Sequence, residues 1–270
     1  MSKLNIFYWN KRDNFGDVLA KYVMSYYGAW DVHNVYGSKS EGDYISPIGS
    51  VLHIAPRNGL HVFGSGFMSP DKIGSKVAPK EVITLRGQLS ADIADKLGWQ
   101  PPQALGDTGL LASRIFPKER ACYKLGVILH YAHAVEETPD LPGVIFINPQ
   151  DPVNEVIKKI SSCEKILSSS LHGLIVAHSY KIPWVRLNVI DHQLGGGDFK
   201  FNDFYTSIGH DASCEIECSV NELRSGLVEL LHKVDRVGCS DFKNIDALQI
   251  RIESAFYSSG YFKNILKPTL

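Results

Sequence analysis

Short apolar runs bounded by polar turns alternate along this chain with stretches whose apolar residues recur at helical spacing. Residues 3–9 read as a buried first strand. A polar loop, Asn10-Lys11-Arg12-Asp13-Asn14-Phe15-Gly16-Asp17, leads from it into a helix over 18–27 that Gly28 stops. Residues 51–54, 61–63 and 81–85 read as further strands, and a helix follows Arg86-Gly87-Gln88-Leu89-Ser90 as far as Leu97. Leu105-Gly106-Asp107-Thr108-Gly109 is a tight turn, with a short helix that ends before Pro117. The polar stretch 116–123 reads as a linker. Beyond it come strands at 124–129 and 144–147, then a helix over 152–162 with Asp151 as N-cap and Pro152 at its first position. A strand at 165–167, a serine turn, a helix and a strand at 183–187 complete the unit. A glycine-rich loop over 195–205 reads as a substrate lid, or else as a surface loop anchored by aromatics. Helices at 220–234 and 245–257 close the chain.

This strand–helix rhythm runs twice, with a break near residue 118. It predicts an α/β protein of two Rossmann-like domains facing across a cleft, the GT-B arrangement. The N-terminal domain spans 1–117. The C-terminal domain spans 122–270, and its last helix is a candidate to pack back on the first domain.

Composition narrows the class. With 44% hydrophobic and 21% charged residues the chain is globular. A formal net charge of -1, spread along the chain, argues against a nucleic-acid surface. The N-terminus runs at once into a strand pattern rather than a signal peptide, and no apolar run is long enough to span a bilayer, so the expected location is cytoplasmic. The five cysteines are irregularly spaced, and Cys214 and Cys218 form a CxxxC without a second half. Free thiols and no metal site are the expectation.

The chemistry concentrates around Ser168-Ser169-Ser170-Leu171-His172-Gly173. Serines at a helix N-terminus cap it, and the same N-terminus presents free N–H groups and partial positive charge to an anion. His172 sits in that first turn, and Gly173 allows close approach of a ligand. The competing reading makes the serines mere caps and His172 a core histidine. His178 lies six residues on, on another helix face, so the two histidines do not form a chelating pair. Asp17 is a candidate catalytic carboxylate or equally an N-cap, and Arg86 is a candidate anion holder at a strand end or else a salt-bridge partner. Gly64-Ser65-Gly66 lacks the full dinucleotide fingerprint.

Together, Asn14-Phe-Gly16-Asp17, Gly64-Ser-Gly66, Leu85-Arg86-Gly-Gln-Leu-Ser90, Leu105-Gly-Asp107 and Ser168-Ser-Ser-Leu-His172-Gly173 resemble the polysaccharide pyruvyl transferase family. Phe199-Lys200-Phe-Asn-Asp203-Phe-Tyr205 is similar to its exopolysaccharide branch. Many members carry arginine two residues before the histidine, where this chain has Ser170. The resemblance implies transfer of pyruvate from phosphoenolpyruvate, a donor substrate rather than a cofactor, to a sugar or lipid-linked oligosaccharide as a ketal. That acceptor would bring the protein to the inner face of a membrane. It implies His172 as general acid and Asp17 as acceptor-side base. Arg86, Ser169, Ser170, Gly173 and Lys200 fall on the donor side, and Asn14, Gly16, His130 and Asp203 on the acceptor side. A nucleotide-sugar glycosyltransferase or epimerase on the same scaffold, and a catalytically silent sugar-binding protein, are the competing functions.

Overall fold

The computed structural model describes residues 2–38, 42–210, 214–225, 227–234 and 237–266. Its strands form two sheets in which every ladder is parallel. The first sheet contains β1 (Ser2–Ile6), β2 (Trp30–Asn34), β3 (Tyr44–Ser46), β4 (Leu60–Phe63), β5 (Glu81–Leu85) and β6 (Ala104–Leu105), in the order β2-β1-β3-β4-β5-β6. The second contains β7 (Leu125–Ile128), β8 (Val144–Phe146), β9 (Ile166–Ser168), β10 (Trp184–Val189) and β11 (Glu215–Cys218), in the order β11-β10-β9-β7-β8. Parallel strands need crossover segments that cover both sheet faces, which is why β4, β7 and β10 are buried along their whole length. The strand order reverses beside β1 in the first sheet and beside β7 in the second. In open α/β sheets, the carboxyl ends of strands flanking such a reversal form the ligand crevice.

Several elements depart from the sequence pattern. Residues 51–54 form a turn, although Val51 and Leu52 are buried. The strands β2, β3 and β6 carry no run long enough to announce them. The first helix, α1 (Phe15–Tyr26), starts earlier than its apolar spacing suggests, because Asn14 rather than Asp17 is its N-cap and accepts from the Gly16 N–H. The expected lid is largely a helix, α2 (Phe199–Ile208), whose Phe201, Asp203, Phe204 and Tyr205 are buried. The expected helix over 220–234 is helical at Val220–Ser225 and Leu227–Val234, the residues described there.

Two segments that follow the second sheet's strands hold it to the first. One is α3 (Ile245–Ser258), whose Phe256 ring stacks on Phe63 of β4 at 4.6 Å between centroids. Gln249 and Glu253 of α3 accept from Arg114, and a short helix beyond (Gly260–Ile265) donates two backbone N–H groups to Glu81.

The other segment is α2. Asp203 reaches the end of β5, where Arg86 Nε donates to Oδ2 at 2.8 Å and both side chains are wholly buried. Ser90 completes the carboxylate through its N–H (2.8 Å) and hydroxyl (2.6 Å), while the guanidinium also donates to Phe67 O and Ser50 Oγ. A charged pair without water survives only when its remaining donors and acceptors are filled in this way. The backbone approach is close: a Cβ on Gly87 would lie 1.7 Å from Asp203 O. This pairing corrects two sequence expectations. Arg86 is not free to hold a donor anion, and Asp203 is not free to contact an acceptor, because each neutralises the other.

Removing one partner strands the other's charge in the core. Arg86→Met or Asp203→Leu should each cost about 3–5 kcal/mol. Arg86→Met with Asp203→Leu should cost less than the sum of the single changes. Urea unfolding of the three variants checks this, and additive losses would show that the pair is uncoupled.

Candidate active site

A cavity of about 340 Å³ opens where the two reversal points meet. Trp9 and Asn14 follow β1, Ser50, Val51 and His53 follow β3, His130 and Tyr131 follow β7, and Ser170 to His172 follow β9. Asp17 and Lys200 complete its polar wall, and Tyr36, Ile54 and Met68 extend its apolar one.

His172 lies in the first turn of α4 (Leu171–Ser179), a helix whose nine residues are all buried. The serines that precede it are not equivalent. Ser168 makes the turn: its Oγ accepts from the Ser170 N–H at 3.0 Å. Gly173 is needed for this packing, since a Cβ there would sit 2.4 Å from Ser168 Oγ. Ser169 Oγ accepts from the His130 N–H at 2.9 Å and lies 3.0 Å from His133 Nδ1, so it organises the neighbouring loop. Among the three serines only Ser170 lines the cavity. The donor-side roles expected for Ser169 and Gly173 therefore give way to structural ones. Gly16 is likewise a seat for the imidazole rather than an acceptor contact, because a Cβ there would fall 2.2 Å from His172 Nδ1.

Behind His172 lies Asp107, a residue whose turn the sequence reading noticed without giving it a role. Its Oδ1 accepts from the Gly109 N–H at 2.8 Å. Its Oδ2 is 4.0 Å from His172 Nε2, and both atoms are buried without a hydrogen-bond partner. These two partnerless atoms make a histidine–carboxyl pair that a small shift closes. Nε2 is thus the nitrogen nearest Asp107, while Nδ1 lies over Gly16. The missed signal was the position of Asp107 just past a strand end, obscured because β6 has only two residues.

Burial dominates the charge states. Desolvation, then the Arg86 and Lys200 charges, pushes His172 down to about 3. Asp107 is raised to about 7 by burial, against its bond from Gly109. Asp17 is raised to about 7, again by burial, although Asn14 Nδ2 donates to it at 2.7 Å and Lys200 is near. Lys200 itself is lowered to about 8 by burial and by Arg86 and Arg186. His130 is lowered to about 3 by burial, with Lys200 and His133 adding to it. Lys200 owes its place to α2, which Arg186 holds at its start through Asp198 and which Arg86 holds through Asp203.

The sequence candidates that come together at the cavity are Asn14, Asp17, His130, Ser170, His172 and Lys200. Their shifts have opposite consequences for stability. Between about 3 and the unperturbed ~6.5, the unfolded chain binds more protons at His172, so that residue makes stability rise with pH. Between its ordinary value of 3.8 and about 7, the folded chain binds more protons at Asp107, so that residue makes stability fall as pH rises. Comparing unfolding free energies at pH ~5 and ~7, the change should turn more positive than wild type in Asp107→Asn and more negative in His172→Gln, each on the order of 2 kcal/mol. Shifts of the same sign in both variants would contradict these charge states.

Comparison with known proteins places this geometry. The chain is 28% identical over 221 residues to the succinoglycan biosynthesis protein ExoV of Rhizobium meliloti, a match covering 75% of this chain and 64% of ExoV. It is 35% identical over 116 residues to an uncharacterized protein of Acanthamoeba polyphaga mimivirus, covering 39% of this chain and 40% of that one. The matched stretches thus span less than two-thirds of either relative. A crystal structure of an uncharacterized protein from Klebsiella pneumoniae aligns with a TM-score of 0.48 at 11% identity, over 80% of this chain and 94% of that one. The family model named polysaccharide pyruvyl transferase matches residues 35–192, more than half of the 270 residues, and takes in Asp107, His130, Ser170 and His172. The chain belongs to the polysaccharide pyruvyl transferase family.

Proposed function

We propose that this protein transfers pyruvate from phosphoenolpyruvate to two hydroxyls of a sugar in a surface or extracellular polysaccharide precursor, forming a ketal. The observation that carries the proposal is one cavity lined by a lysine, a helix N-terminus, a carboxyl raised toward neutrality and an imidazole lowered well below it. Lys200 and the first-turn N–H groups of α4 suit the donor's phosphate and carboxylate, with Ser170 beside them. The rings of Trp9, Tyr36 and Tyr131 offer faces to a sugar, with Asn14 and His130 as polar contacts.

The charge states favour exchanging the two roles that the sequence suggested. Asp17 is half protonated near neutral pH, so its carboxyl delivers the proton to the donor's methylene carbon. His172 is neutral, so its Nδ1 accepts the proton of the attacking sugar hydroxyl, and Asp107 stabilises the imidazolium across the Nε2 side. The C2–O bond to the sugar forms as the carbon–carbon double bond takes up the proton. A second hydroxyl then displaces phosphate, which leaves with that hydroxyl's proton. Proton transfer and anion stabilisation complete the reaction, and side chains supply both.

Phosphoenolpyruvate is a cytoplasmic metabolite, so the reaction belongs on that side, at the membrane's inner face when the acceptor is lipid-linked. No helix among the described residues is long and apolar enough to cross a membrane.

The test is incubation with phosphoenolpyruvate and a panel of nitrophenyl and lipid-linked sugars, reading phosphate release and an acid-labile pyruvylated product. Lys200→Met should raise the donor KM about tenfold, the loss of one charge-assisted contact, and leave the acceptor KM nearly unchanged. Sugar transfer from a nucleotide-sugar without phosphate release from phosphoenolpyruvate would overturn the proposal.

A further inference from the structure

Away from the cleft, one trio of metal-capable side chains stands out among the described residues: His210, Cys214 and Cys239, whose ligand atoms all lie within 4.8 Å of one another. His210 Nε2 is 3.2 Å from Cys214 Sγ. We propose that these three residues bind a zinc ion that staples α2 to the segment leading into α3, with Asp241 or water as fourth ligand.

The three positions come from two stretches of chain, His210 and Cys214 from one and Cys239 from another, and each is fixed by backbone bonds. Gly209 ends α2 in the left-handed region (φ 68°), and His210 then turns back, its N–H donating to Tyr205 O. Cys214 O accepts from the Arg186 N–H at the β10 edge. Cys239 exchanges two backbone hydrogen bonds with Trp184, at 2.8 and 3.1 Å. Tetrahedral zinc with Zn–S of ~2.3 Å and Zn–N of ~2.0 Å separates neighbouring ligand atoms by roughly 3.5–3.8 Å, so the observed spacing closes on an ion with small side-chain movements. One imidazole and two thiols form a soft donor set, which suits zinc better than magnesium or calcium. A fourth position is at hand. Asp241 lies two residues beyond Cys239 and shares with His210 the lining of a small cavity of about 40 Å³.

The sequence argument against a metal paired Cys214 with Cys218. Those thiols belong to different cores: Cys214 and Cys239 pack in the large cluster, whereas Cys218 packs in the smaller one on the second sheet. The relevant cysteine is Cys239, which is remote in sequence.

The site's place suggests its use. His210 follows the helix that carries Lys200 and Asp203, and Cys239 precedes the helix that packs on the first sheet. Both helices contact the first domain, so an ion between their ends fixes the segments that set the cleft. Burial pushes the Cys239 thiol up to about 12 in the free side chain, so metal loading must release its proton.

Tag-free protein from zinc-supplemented culture, desalted and analysed by mass spectrometry for metals, should hold about one zinc per chain. Cys214→Ser and Cys239→Ser should lose it, while Cys218→Ser and Cys122→Ser retain it. Cobalt(II) exchanged into the wild type should show thiolate-to-cobalt charge transfer with tetrahedral visible bands, which decides the matter if the serine variants fail to fold. A strong chelator should lower the wild-type thermal midpoint. The proposal is overturned by wild type that takes up no zinc or cobalt, by a Cys214–Cys239 disulfide in alkylation mapping, or by zinc content that Cys214→Ser and Cys239→Ser leave unchanged.

Discussion

The buried pairing of Arg86 with Asp203 is the constraint on which the rest of the site depends. Neither charge reaches water, so each is tolerable only while the other stays in place. Arg86 stands at the carboxyl end of β5 in the first domain, and Asp203 is on α2 beyond β10 of the second. The pair therefore fixes the distance between two sheets that share no strand. It also sets Lys200, one turn earlier on α2, over the cavity. Arg86 does not touch a ligand in this arrangement. Its charge still acts on the site by holding His172 in its neutral form and lowering Lys200.

The same dryness shapes the chemistry. Asp17 and Asp107 are raised and His172 is lowered chiefly by the exclusion of water, so near neutral pH the free protein keeps its base uncharged and its acid about half protonated. An incoming dianion changes the balance by favouring protonated partners. Asp17 starts near neutrality and needs little help, whereas His172 starts several units below it. This asymmetry is why the carboxyl is assigned as proton donor and the imidazole as acceptor.

Much of this was legible in the sequence because parallel sheets write themselves as apolar runs. β4, β5, β7 and β10 are buried runs, and the serine turn before α4 signals a helix start. β3 and β6 were not legible, being too short to show a period. The cavity residues Asn14, Asp17, His130, Ser170 and His172 could be named because they follow strand ends or begin helices, and Lys200 because its loop is similar to the family's. What sequence could not give was pairing across the chain. Arg86 looked available for an anion until Asp203, more than a hundred residues away, proved to fill it. Gly16 looked like a ligand contact until His172 proved to occupy the space above it. Asp107 needed the fold to bring its orphaned oxygen toward an imidazole.

The central claim is that the donor meets a neutral imidazole and a half-protonated carboxyl, with Asp17 the first to gain a proton. Calorimetry of phosphoenolpyruvate binding near neutral pH, in buffers of different ionisation enthalpy, counts that proton directly. Comparing variants with wild type cancels the ionisation of the donor's own phosphate. Wild type should take up more protons than Asp17→Asn, and His172→Gln should stay close to wild type. Uptake that survives in Asp17→Asn and disappears in His172→Gln would contradict the account and return the acid role to the histidine.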